Sequence, residues 1–174
     1  MLKRILCLLF VLLLFTAPVA AEEDFFFGQF EAENLNGEGP VTEAIFEDAA
    51  LTFINFWATW CPPCVEELPA LAVIDEETGG EVQVIGVLMD AIGGRGRRDD
   101  SAIAAMRKLL DNANAEFPVL FPEGDIILEI MSAIQAVPTT VVVDREGMVV
   151  DVHVGSMTLK QWLAYAQELL DGDA

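Results

Sequence analysis

Two cysteines, Cys61 and Cys64, separated only by Pro62 and Pro63, are the residues whose types and spacing point most directly to chemistry. They follow Leu51 to Ala58 (LTFINFWA), a nearly continuous apolar run of the kind expected for a strand buried on both faces. They open a segment that reads as a helix from Cys61 to about Glu77, with Pro69 as a kink. Two Cys three apart on the first turn of a helix are close enough to close a small disulfide ring. A helix start also carries unpaired N–H groups and the positive end of the macrodipole, which favour an anion. The Cys61 thiol is therefore expected below its ordinary pKa. Pro62 and Pro63 lack N–H groups that the first turn does not need. They stiffen the loop and withhold donors from the thiolate, which tunes the redox potential. The pattern predicts Cys61 as an exposed nucleophile and Cys64, one turn in, as the thiol that resolves a mixed disulfide. No separate cofactor is called for: the redox group is the Cys61–Cys64 pair.

Other chemistries fit less well. A zinc site needs about four ligands, and besides this pair the rest of the domain offers only His153 among Cys and His side chains; no metal is expected. A haem attachment needs His directly after the second Cys, and position 65 is Val. An inert structural disulfide closing so short a loop would contribute little stability. A peroxidase needs a nucleophilic Cys with its own Thr/Arg activation, and the domain has no Cys outside the pair. A non-enzymatic client-binding or metal-delivery module stays open, although no His or Met lies near the pair in sequence.

The pair must be positioned by a scaffold, and the chain supplies one as a single domain without repeats. Asn36-Gly37 marks a hairpin within residues 28–40, and Val41 to Asp48 reads as a short helical turn. VQVIGVLMD, within Glu81 to Asp90, is a second buried-type strand. A Gly/Arg-rich loop covers Gly93 to Asp99. Asp100 to Asn112 is an amphipathic helix with Ile103, Met106, Leu109 and Leu110 on one face. A short strand at Phe117 to Phe121 and a helix at Asp125 to Ile134 follow. Thr139 to Asp144 and Met148 to Val154 form a hairpin around Gly147. Thr158, with Gln161 three places on, is a capping box that starts the last helix. The alternation argues for an α/β fold with a central mixed sheet covered by helices.

Asn55-Phe56-Trp57-Ala58-Thr59-Trp60-Cys61-Pro62-Pro63-Cys64, then Glu66-Glu67-Leu68-Pro69, and later Val137-Pro138-Thr139-Thr140 together resemble the TlpA/ResA-like thiol-disulfide oxidoreductases of the thioredoxin superfamily. The resemblance spans residues 28–174. It implies a thioredoxin-like fold with an N-terminal β-hairpin and an extra helix-bearing insert at 91–117. On the residues alone, Pro138 could be an ordinary trans proline at a strand edge. The resemblance implies a cis proline facing the dithiol, where a client peptide pairs with exposed backbone. Trp60, Pro62, Pro63, Val137 and Pro138 are then the substrate-binding residues, and Trp57 is either aromatic cover or core. Ordinary thioredoxins carry a buried Asp at the place of Asn55, and an amide cannot take that proton. Glu67 matches an acidic residue placed near the dithiol in ResA-like members. One turn beyond Cys64, it is expected to be partly buried, raised in pKa and able to relay protons; the alternative is a solvent-facing helix carboxylate like its neighbour Glu66. The resemblance further implies a dithiol reductase acting on disulfides in client proteins and recharged by a membrane thiol electron donor, apocytochrome c maturation being one family task. A dithiol oxidase is the alternative direction.

Composition narrows the setting. The 174 residues are 53% hydrophobic, with 29 Asp plus Glu against 9 Lys plus Arg and a net charge of −20. The apolar fraction excludes intrinsic disorder, and the charge argues against nucleic acid as a partner. Lys3 and Arg4, the apolar run Ile5 to Phe15, and Val19 and Ala21 before Glu22 read as a secretory signal expected to be cleaved after Ala21. An uncleaved membrane anchor is the alternative. Cys7 lies inside that run, not after it, which speaks against a lipoprotein. The expected organisation is a signal at 1–21, a lead-in at 22–27 and a thioredoxin-like domain at 28–174. The domain is expected to work outside the cytoplasm: secreted, periplasmic or on the outer face of the cytoplasmic membrane. There a Cys pair can persist as a disulfide. His153, alternating with Val152 and Val154, is expected to face solvent. Arg95, Arg97 and Arg98 read as a mobile loop or a partner contact, and the acidic surface as a solubility device or a means of steering basic clients.

Overall fold

The structure, a computed structural model, describes residues 26–172; the expected signal at 1–21 lies outside the described residues. Strands β3 (Leu51–Trp57) and β4 (Val82–Leu88) are the two buried apolar runs, and they pair in parallel. β5 (Val119–Leu120) extends the sheet beyond β4. β6 (Thr139–Asp144) and β7 (Val149–Val154) form the expected hairpin on the other side of β3. The resulting mixed sheet has the order β5-β4-β3-β6-β7. All seven β3 residues are buried because this strand is central and covered on both faces. A separate hairpin, β1 (Glu31–Glu33) with β2 (Pro40–Thr42), forms where the Asn-Gly signal predicts one. It docks on the β5 edge through Leu35 N–H to Val119 O and Phe121 N–H to Glu33 O.

One face of the sheet buries Phe27, Phe30 and Phe46 with Ile127 and Ile130 of α4 (Asp125–Ala133). The other carries α1 (Pro62–Leu71), α2 (Ile74–Glu77), α3 (Asp100–Ala113) and α5 (Leu159–Leu170). Helix α3, the body of the insert, buries Ile103, Met106 and Leu110, while Leu109 is only half-buried. In the capping box at α5, Gln161 Oε1 accepts the Thr158 N–H at 3.0 Å. Among the described residues no helix is long and apolar enough to cross a membrane.

Three expectations need correcting. The helix after the cysteines is not continuous to Glu77: Pro69 sits inside α1, and the chain leaves helical geometry at Val73 (φ −113°, ψ 1°). The break lets Leu71 and Ile74 both enter the cluster around Val82 and Trp162. His153 does not face solvent. It is half-buried with its ring edge-on to Trp162 at 5.8 Å, whereas Val152 and Val154 are 50% and 62% exposed. β7 is an edge strand, and α5 covers the face that carries His153 and leaves the opposite one open. Arg98 is not a free loop residue. Its guanidinium bonds Glu33 at 3.0 Å and Asp100 at 3.1 Å and lies 5.2 Å from the centre of the Phe121 ring, so it ties the insert to the N-terminal hairpin.

Candidate functional site

The parallel register places Trp57 of β3 beside Leu88 of β4, so both chains leave the sheet at one edge. The C-terminal edge of parallel strands is where an α/β sheet offers a crevice for a ligand. β3 continues through a turn closed by Cys61 N–H to Ala58 O at 3.1 Å and enters α1. Cys61 is the N-cap, and its Sγ accepts the Cys64 N–H at 3.3 Å. Pro62 and Pro63 occupy the first two helical positions, where no N–H is required. Cys61 and Cys64 are joined as a disulfide with Cα atoms 5.3 Å apart.

Cys64 is fully buried, and Cys61 is only 3% exposed rather than open to solvent as expected. In the oxidised pair its Sγ lies 3.6 Å from Val137 O, a packing contact because a disulfide sulfur has no hydrogen to donate. The Val137–Pro138 peptide is cis, with Pro138 buried and Val137 half-buried. The Pro138 carbonyl accepts the Gly155 N–H at 2.9 Å, and Thr139 Oγ1 donates to Ala136 O at 2.8 Å. Trp60 is 70% exposed beside the disulfide, with Pro62 and Pro63 exposed on the helix front. Trp57 is fully buried core. Trp60, Pro62 and Pro63 thus flank the pair along the chain, and Val137 touches it across the fold.

Behind the pair lies a buried polar network. Asn55 Nδ2 donates to Glu67 Oε1 at 3.1 Å and to Thr140 Oγ1 at 3.0 Å. Met157 N–H donates to Glu67 Oε2 at 3.2 Å. The Trp162 indole N–H faces the same carboxylate at a geometry short of a regular hydrogen bond. Glu67 is 2% exposed, and its pKa is pushed up to about 7, because desolvation outweighs the bonds from Asn55 and Met157 that favour the charged form. Glu66, the next residue back, is exposed. A carboxyl that titrates near neutrality one turn from Cys64 can hold or release a proton while thiols and disulfides interchange.

Sequence reasoning missed three participants. Thr140 and Met157 carry no chemical signature, and only the fold brings them to Asn55 and Glu67. Asp90 bonds the turn before Cys61, accepting Thr59 N–H at 3.2 Å and the Thr59 hydroxyl at 2.5 Å. An acid just past the end of the strand beside β3 was the available clue. Among the described residues no group of three or more His, Cys, Asp or Glu could hold a metal ion.

The Redoxin family profile matches residues 36–166. The thioredoxin-like protein YneN of Bacillus subtilis (strain 168) is 29% identical over 134 residues, which cover 76% of this chain and 71% of YneN. The thiol-disulfide oxidoreductase ResA of Halalkalibacterium halodurans is 28% identical over 145 residues, 83% of this chain and 75% of its own. Among solved structures, a thioredoxin-family thiol:disulfide interchange protein of Chlorobium tepidum superposes with a TM-score of 0.66 at 20% identity, covering 85% of this chain and 97% of that one. The exposed lipoprotein thioredoxin of Streptococcus pneumoniae superposes with a TM-score of 0.63 at 25% identity, covering 81% and 99%.

Proposed function

The chain belongs to the Redoxin family, as a ResA-like thiol-disulfide oxidoreductase of thioredoxin fold, and from that premise we propose that it works outside the cytoplasm, reducing disulfides in client proteins through Cys61 and Cys64. In the reduced enzyme, the Cys61 thiolate at the α1 N-terminus attacks one sulfur of a client disulfide. The client S–S bond breaks, a Cys61–client bond forms, and the other client sulfur leaves as a thiolate. The Cys64 thiolate then attacks Cys61 Sγ, closes the Cys61–Cys64 bond and releases the second client sulfur. Two electrons pass to the client, and the two client thiolates take up two protons. Glu67 takes up the proton that Cys64 gives up on becoming a thiolate. The extended client segment lies against Val137-Pro138, with Trp60, Pro62 and Pro63 as its rim.

The observation that carries this reading is the Cys61–Cys64 disulfide at the head of α1 with the Val137 carbonyl packed against it. The reductive direction rests on the likeness to the ResA relatives. It requires a membrane thiol electron donor to restore the dithiol. The extracytoplasmic setting rests on residues 1–21 as a signal or anchor and on the exposed lipoprotein relative. Residues 28–174 form the working domain.

The test is reduction of insulin by residues 22–174, together with the reduction potential of the pair. Turnover and a potential near about −270 mV support a reductase; a potential near about −120 mV would make the protein an oxidant. Stoichiometric metal without turnover would instead support a metal-binding module.

A further inference from the structure

Because Trp57 pairs with Leu88, the residues two places beyond them, Thr59 and Asp90, meet at the edge of the sheet. The Asp90 carboxylate accepts the Thr59 N–H, 3.2 Å to each oxygen, and the Thr59 hydroxyl at 2.5 Å. Thr59 is the second residue of the turn from Ala58 to Cys61. The N–H at that position has no partner within a turn, and the carboxylate supplies one. A charged acceptor makes these bonds stronger than neutral ones. The two residues that follow are Trp60, the exposed aromatic of the rim, and Cys61, the N-cap of α1.

The residue after Asp90 is fixed to the insert. Ala91 is fully buried, and its carbonyl accepts the Asp99 N–H at 2.7 Å. Asp99 in turn caps α3 by accepting from Ser101 N–H and Ala102 N–H. The strand end that carries Asp90 is thus tied, through the Ala91 carbonyl and Asp99, to the first turn of the insert helix. The exchange chemistry of Cys61, Cys64 and Glu67 makes no use of Asp90, yet the presentation of Trp60 and Cys61 runs through it.

We propose that Asp90 is a positioning residue: through Thr59 it fixes the turn that presents Trp60 and Cys61 together to a client, and it anchors that turn to α3. The proposal rests on the dithiol reading above and adds a residue that acts only through Thr59. A misplaced reacting group loses rate even when every reacting atom is retained.

The experiment compares reduction of insulin with reduction of a small aromatic disulfide by the wild type, Asp90→Ala, Asp90→Asn and Thr59→Val. Asp90→Ala should lower kcat/KM for insulin roughly 10-fold, and more than for the small disulfide, which does not need the Trp60 rim. Asp90→Asn keeps an oxygen for the Thr59 N–H and should recover activity to within about threefold of wild type. Thr59→Val should lose part of the same activity, and adding Asp90→Ala to it should cost less than Asp90→Ala alone. Wild-type kinetics in Asp90→Ala, or equal loss in Asp90→Asn and Asp90→Ala, would overturn the proposal. Should Asp90→Ala fail to fold, wild-type rates in Thr59→Val overturn it instead. A wild type that reduces neither disulfide overturns the dithiol reading itself; a wild type that turns over while its variants match it overturns only the role of Asp90.

Discussion

The front and the back of the disulfide are built from opposite materials. In front, Trp60 is 70% exposed and Pro62 and Pro63 face solvent. Behind, Asn55, Glu67 and Thr140 are at most 2% exposed and bonded mainly to one another. One helix start serves both sides, with Cys61 nearer the rim and Cys64 fully buried. The contrast teaches that the two tasks of a dithiol can be separated in space. In the proposed mechanism the front handles the client, by shape and open backbone, while the back handles the proton, by a carboxyl kept from water. Exposure suits the first because a partner must reach it. Burial suits the second because desolvation is what lifts the Glu67 carboxyl to near neutrality.

The sharpest way to break this division is to remove one sulfur at a time. Cys61→Ser should abolish turnover and trap no client. Cys64→Ser should also abolish turnover but accumulate a covalent Cys61–client adduct, visible by mass spectrometry without reductant. Adducts in the Cys61→Ser variant would reverse the two roles.

A smaller effect tests the back alone. The folded state holds a proton on Glu67 up to about pH 7, whereas the unfolded chain releases it near the ordinary carboxyl value of 4.5. Stability contributed by the neutral form is therefore present at low pH. It is lost as pH rises from 4.5 to about 7, by on the order of 3 kcal/mol in total. Urea midpoints at pH 5 and pH 8 should show this fall in the wild type, and Glu67→Gln should flatten it. An unchanged slope in Glu67→Gln would assign the proton to another group.

On the front, Trp60→Ala should raise KM for a protein client by about 10-fold and leave kcat within about twofold, as expected for an exposed aromatic anchor. An equal loss in kcat would show that Trp60 takes part in the exchange step. Smallest of all, Glu66→Gln should change stability by less than about 0.5 kcal/mol and leave the pH profile of activity in place. A Glu66→Gln effect as large as that of Glu67→Gln would erase the distinction between an exposed and a buried neighbour.

How much of this was legible in the sequence depended on how local each signal is. LTFINFWA and VQVIGVLMD announced their strands because burial on both faces leaves no polar period. The Cys-Pro-Pro-Cys run announced a helix start because proline suits only its first turn. Glu67 is buried and Glu66 exposed because one helix step decides which side faces the sheet. His153 was misread because alternation states only that neighbours point opposite ways; α5, distant in sequence, decides which face is covered. The near-burial of Cys61 escaped notice for a similar reason: its contact comes from Val137, 76 residues away. Asp90, Thr140 and Met157 act through positions that only the strand register and the α5 start create.

Both sulfurs belong to an apolar cluster with Trp57, Leu68, Leu88 and Met106, so opening their bond is an event inside the core. A thermodynamic cycle then binds redox chemistry to folding. The difference in unfolding free energy between the oxidised and dithiol forms must equal the difference in reduction potential between the native and denatured chains, at about 1.4 kcal/mol for every 30 mV. Melting the two forms side by side thus weighs how far folding shifts the electron affinity of the pair, with no electrode required.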